Sequence, residues 1–147
     1  MVKTVVITLT VQTATLYGMS APSQSQVDSC CTLSDDNSGS SRNGTLEDFK
    51  SNVFINNNVR WVGVSSDSKY SVAIDSLVYE SKSNDVNFFD NATINGTGGR
   101  SGNASASVKN DPNLVNELDI YTINFSVYNF GNLYKSFSID PKLAINP

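Results

Sequence analysis

The sequence predicts an all-β chain: a single-domain antiparallel β-sandwich, immunoglobulin-like or jelly-roll-like, with about seven short strands joined by long polar loops. Three observations carry that expectation. Apolar and polar residues alternate near both ends of the chain, with Val5, Ile7, Leu9 and Val11 at one end and Tyr121, Ile123, Phe125 and Val127 at the other. The chain holds 22 Ser and 18 Asn, short polar side chains that compete with the helix backbone and favour turns and strand edges. Clusters such as Asn56 to Asn58 and Asn129 to Asn132 punctuate the apolar runs with residues that tolerate turn geometry. One core over residues 1–147 suffices, since a chain of 147 residues hides roughly two-thirds of its unfolded surface without a metal or disulfide staple.

The first strand spans Lys3 to Val11, rich in β-branched residues and more apolar on one face. From Ser20 to Lys50 the chain is almost wholly Ser, Gln, Asp, Asn and Gly. It reads as a long polar loop at about 20–50, one that either contains a short strand near Cys30 to Leu33 or serves as an exposed functional loop. Phe54-Ile55 restores order, the three-Asn turn follows, and Val59 to Val64 predicts a central strand carrying the only tryptophan, Trp61. After the polar turn Ser65 to Lys69, Tyr70 to Tyr79 alternates as the second arm of that hairpin. Val86 to Phe89 predicts a short strand, Asn91 to Ser101 a loop with too little apolar surface to pack, and Ser105 to Val108 an edge strand. The clearest hairpin runs from Tyr121–Val127 through the turn Asn129–Asn132 to Leu133–Ile139. Asp140-Pro141 ends it, because proline cannot donate to the ladder, and Leu143 to Ile145 adds a short edge.

Composition excludes much chemistry. The chain has no His, so a His general base, a Ser-His-Asp or Cys-His nucleophile pair and a His metal site are all ruled out. Cys30 and Cys31 are adjacent and bridge only through a strained ring; two reduced thiols in a polar loop are expected, which suits a reducing compartment. A formal charge of -4 repels phosphate backbones, so nucleic acid is not an expected partner. The opening segment has strand period and is too polar for a secretory signal core, and no run approaches a membrane span. The expected location is the cytoplasm, with export by a signal-less route left open.

Several motifs bear on binding. Asp35-Asp36-Asn37-Ser38-Gly39 is the densest oxygen-ligand cluster, but it lacks the glycine and the terminal Glu of a calcium-binding hand, and a solvated loop is the expected reading. N-x-S/T patterns begin at Asn43, Asn91, Asn95, Asn103 and Asn124, as chance provides in so Asn-rich a chain. Trp61, Tyr70, Tyr79, Tyr128 and Tyr134 offer faces on which a sugar stacks, although the valines around Trp61 favour a core position. Arg60 has two candidate roles, a sheet-surface ion pair or an interface anchor. Asp75, Glu80, Asp85 and Asp90 cluster loosely, with no spacing that marks a glycosidase pair. No catalytic residue, cofactor or metal ligand is assigned.

Val59-Arg60-Trp61 followed by Tyr70-Ser71-Val72, and Tyr121-Thr122-Ile123-Asn124-Phe125 leading into Ser138-Ile139-Asp140-Pro141-Lys142-Leu143, form an ordered pattern over most of the chain. In it the sequence resembles the AidA/PixA family of bacterial inclusion-body proteins, as a short and divergent member with Ile139 where that family commonly has Trp. The resemblance implies a non-enzymatic protein that accumulates in cytoplasmic inclusions. A low-charge Asn/Ser surface agrees with ordered self-association. Copies of the chain are therefore the expected partner, through edge strands at the two chain ends that include Val2, Val11, Leu143 and Ile145. A secreted carbohydrate-binding or adhesin-type domain, with a glycan as ligand, is the alternative.

Overall fold

A computed structural model describes residues 4–37, 40, 41, 46, 49–80 and 85–145. Two packed sheets hold about half of them, as an all-β sandwich requires. The smaller sheet has the order β2-β1-β5-β8, built from β1 (Val5–Val11), β2 (Cys31–Asp35), β5 (Asn58–Ser65) and β8 (Ala104–Ser107). The larger has the order β3-β4-β11-β9-β6-β7, with β10 also pairing β9. Its strands are β3 (Ser40–Ser41), β4 (Phe49–Val53), β6 (Ser71–Tyr79), β7 (Thr93–Asn95), β9 (Leu118–Tyr128), β10 (Tyr134–Ile139) and β11 (Lys142–Ile145). Pairing is mainly antiparallel, but β1/β5 and β4/β11 run parallel. Parallel neighbours need a long crossover, and between β1 and β5 the chain supplies two short helices and three strands.

The period-2 pattern decides which side chains go inside. Val5, Ile7, Leu9 and Val11 on β1, Val59 and Trp61 on β5, Val72, Ile74 and Leu77 on β6, and Tyr121, Ile123, Phe125 and Val127 on β9 are all buried in one apolar cluster. The expected alternation near both chain ends and the expected core position of Trp61 are borne out. So is the last hairpin, where Ile139 opposes Ile123 and Tyr134 opposes Tyr128.

Elsewhere the structure corrects the sequence reading. Residues 20–50 are not one loop. Helix α1 (Thr13–Tyr17) precedes them, helix α2 (Gln24–Ser29) lies within them, and β2 follows at the expected short strand. Ser23 and Gln26 form a capping box that satisfies the first amides of α2, while Val27 alone anchors it to the core. β5 and β6 are not a hairpin, because the chain crosses from one sheet to the other at Ser66–Tyr70. The crossing brings the sheets close at Gly63, where a Cβ would lie 2.6 Å from Val72 Cγ1. Val86 to Phe89 forms no ladder; its aromatic rings are buried and the Phe88 amide is bound by the Asp119 side chain, 2.9 Å away. Within the supposed loop Asn91–Ser101, Thr93–Asn95 pairs with Ser76–Val78.

Candidate functional site

The two chain ends are not open edges. β1 is held on both sides, with Val11 opposite Cys31 on β2 and Ser65 on β5. β11 lies between β4 and β9, where Leu143 opposes Ser51 and Asp119 and Ile145 opposes Val53. Val11, Leu143 and Ile145 are buried; Val2 lies outside the described residues. The expectation that these strands carry free ladder groups is overturned, because the long crossover returns other strands to cover them.

An open edge lies on β10 at Tyr134 and Ser136, while α2 lies against the far end of the strand. Asn129 N donates to Leu133 O at 2.8 Å, so Leu133, Lys135, Phe137 and Ile139 turn their main-chain groups towards β9. Tyr134, Ser136 and Ser138 therefore turn theirs outward, and Gln24 Nε2 reaches Ser138 O at 2.7 Å. Beyond Tyr134 the hairpin ends in exposed apolar side chains: Phe130 is 80%, Leu133 66% and Tyr134 60% accessible. Such a tip is held rigidly. Asn129 Oδ1 accepts from the amides of Gly131 at 2.8 Å and Leu133 at 3.1 Å, and Asn132 takes the positive φ of 62° that the tight turn needs. Arg100 donates to Asn129 O and, at 3.0 Å, to Asn132 Oδ1. Behind the tip, Tyr128 and Tyr134 pack with ring centroids 5.1 Å apart, and Lys135 sits 4.8 Å over the Tyr17 ring.

A second feature is a buried polar group. Asp119 on β9 is 1% exposed; its Oδ2 accepts from Phe88 N and its Oδ1 has no hydrogen-bond partner among the described residues. Burial pushes the carboxyl up to about 7, with the Phe88 amide and Lys109 opposing that shift and the nearby Asp85 carboxylate adding to it. It lines a cavity of about 10 Å³ with Trp61, Phe89 and Tyr121. Trp61 Nε1 donates to Tyr121 Oη at 3.1 Å, and the buried Tyr121 hydroxyl is shifted well above its ordinary value by desolvation. Trp61 is thus core, with edge-on contacts to Phe89 at 5.7 Å and Tyr121 at 6.0 Å, and offers no sugar platform.

The remaining motifs are absorbed by the fold. Asp35 Oδ1 accepts from Asn37 N at 2.9 Å and its Oδ2 from the buried Ser51 hydroxyl, while Asp36 Oδ1 accepts from Val6 N at 3.0 Å. Asn37 Nδ2 bonds Asn52 O, whereas Ser38 and Gly39 lie outside the described residues. Among the described residues no three His, Cys, Asp or Glu side chains come together as a metal site. Cys30 and Cys31 are free thiols, but buried at the junction of α2 and β2 and not in a polar loop; desolvation pushes the Cys31 thiol up to about 12. Of the four loosely clustered carboxylates, Asp75 accepts from Ser126 at 2.5 Å, Glu80 from Thr122 at 2.8 Å, Asp85 sits under the Tyr79 hydroxyl, and Asp90 is exposed. They do not form one pair. Arg60 is exposed on the outer face of β5, and Asn124 Nδ2 is tied to Ser76 Oγ inside the sheet at 3.0 Å. Asn43 lies outside the described residues. No helix among the described residues is long and apolar enough to cross a membrane.

Neither a known family model nor any curated protein sequence matches this chain.

Proposed function

We propose that the protein is a non-enzymatic β-sandwich that associates with copies of itself through the β9–β10 hairpin, in keeping with its resemblance to the AidA/PixA inclusion-body proteins. The observation that carries the reading is the pairing of an open strand edge with exposed Phe130, Leu133 and Tyr134 on one braced hairpin. A strand edge is complemented by another strand edge, and a second copy brings an identical one. Two β10 strands related by a two-fold axis near Lys135 would pair Tyr134 of each copy with Ser136 of the other, using the outward groups on both.

Magnitudes set how strong this is. Covering one Phe or Leu side chain contributes roughly 1.5–3 kcal/mol, so Phe130 and Leu133 from two copies contribute roughly 6–12 kcal/mol. Loss of rigid-body freedom on association opposes this with about 4–15 kcal/mol. The two nearly balance, so the contact is weak and pairs form in quantity only where the protein accumulates, as in a cytoplasmic inclusion.

Sedimentation velocity of the purified chain over a wide concentration range tests the reading. A concentration-dependent shift from monomer to dimer is expected, and Phe130→Ser with Leu133→Ser abolishes it while the melting temperature stays unchanged, since both side chains are exposed. A wild-type chain that stays monomeric at millimolar concentration sinks the proposal.

A further inference from the structure

On the margin of the larger sheet opposite β10, β7 and β8 end their respective sheets without bonding to each other, and a groove of about 360 Å³ lies between them. That volume falls in the range of small-molecule pockets. Its walls follow from strand alternation. Tyr79 N donates to Ala92 O and Gly96 N to Asp75 O, so Ile94 turns its main chain towards β6 while Thr93 and Asn95 face outward. On the other wall Val108 N donates to Asn57 O, so Ala104 and Ala106 turn theirs towards β5, leaving Ser105 and Ser107 outward. Half-buried Ile94 and Ala106 form an apolar floor in the seam between the sheets.

The polar lining, Ser107 apart, differs from the carboxylates that the fold engages. Asp35, Asp75 and Asp119 are all engaged by donors of the protein itself. By contrast Asp90, Asn91, Thr93, Asn95 and Ser105 are exposed around the groove, and their side chains make no hydrogen bond among the described residues. Amide, hydroxyl and carboxylate groups together supply both donors and acceptors, and no Lys or Arg lines the groove. Polar lips over an apolar floor match the two faces of a sugar ring, with hydroxyls at the edge and C–H groups on the face. The lack of a cation disfavours phosphate or sulfate.

We propose that the groove between β7 and β8 is a binding site for a neutral saccharide, with Asp90 and Asn95 as its principal hydrogen-bonding residues. The site rests on observations independent of the hairpin. Saturation-transfer NMR of the full chain with a panel of neutral glucose-, mannose- and galactose-based trisaccharides, and with sulfated counterparts, tests it. At least one neutral trisaccharide should show transfer, and Asp90→Ala and Asn95→Ala should each weaken its binding about tenfold, the effect of losing one hydrogen bond to a bound hydroxyl. Both residues are exposed, so the melting temperature should not move. Transfer to none of the neutral panel, equal transfer to the sulfated sugars, or binding unchanged by both substitutions would each overturn the assignment. So would binding confined to an extended peptide, which would make the outward Thr93 and Asn95 amides a strand-docking edge instead.

Discussion

Asp119→Asn isolates the energetic consequence of burying a carboxyl. In the unfolded chain this group titrates near its ordinary 3.8, and in the folded protein at about 7. Below about pH 4 both states hold the proton and the site contributes no pH dependence. Between the two values the unfolded chain ionises while the folded chain stays protonated, so stability falls as pH rises through this window and levels off above the folded value. The separation of about three units corresponds to roughly 4 kcal/mol. Asparagine is neutral throughout and keeps a carbonyl for the Phe88 amide. The stability of the variant relative to the native chain should therefore climb by roughly 4 kcal/mol between pH 4 and pH 8. Urea unfolding followed by the fluorescence of buried Trp61, the only tryptophan, reads both proteins with the same probe. Asp85, Lys109, Tyr79 and Tyr121 lie around this carboxyl and are common to both proteins, so the difference between the two curves is the measurement. Curves that stay parallel from pH 4 to pH 8 would refute the reasoning.

Two further outcomes follow from the core. Trp61→Ala should lower stability by roughly 3–5 kcal/mol, because it removes a fully buried ring and leaves Tyr121 without its donor; a near-neutral change in urea midpoint would contradict the packing against Phe89 and Tyr121. Cys31 should react with a thiol reagent at neutral pH only as fast as the chain unfolds, since its thiolate is scarce and its sulfur buried; rapid labelling of the native protein, localised to Cys31 by mass spectrometry, would show that the site opens.

How much of this was legible in the sequence depends on the range of the physics involved. Local alternation exposed β1, β5, β6, β9 and the β9–β10 hairpin, since one face of each is buried and a slip of one residue would reverse it. Helix α2 was concealed because it buries only Val27, leaving no period of 3.6 to read; its Ser23–Gln26 capping box was the one signal available. Which strands lie at edges is a long-range matter. Leu143–Ile145 reads as a terminal edge because it follows a proline and ends the sequence, yet β4 returns from residues 49–53 to cover it. Nothing local announces that pairing. The candidate surfaces were missed for related reasons. Phe130 reads as part of the turn and Leu133 as the start of the return strand until the register places Leu133 past the last strand pair, and the β7–β8 groove joins residues near 93 and 105 that only the sandwich brings together. Asp119 carried no signal beyond being a charge within an apolar strand, a conflict that itself marks a position for scrutiny.

The hairpin and the groove occupy opposite margins of one half of the larger sheet, which runs β10-β9-β6-β7. Pairing two copies through β10 therefore leaves each groove open and turned away from the contact. A pair built this way would present two saccharide sites on one body, and binding of the second site to the same glycan-coated surface becomes intramolecular. Such linkage raises apparent affinity by about a hundredfold or more without any new contact. On a surface coated with the neutral sugar identified by NMR, the native chain should dissociate far more slowly than Phe130→Ser/Leu133→Ser. Against the free trisaccharide the two proteins should bind alike. The divergence should grow with protein concentration, since the weak hairpin contact governs how many sites act together. Equal dissociation of the two proteins from the coated surface would separate the two activities and refute their cooperation. A loss of affinity for the free trisaccharide in the hairpin variant would instead place the hairpin residues within reach of the sugar, contrary to their position across the sheet from β7.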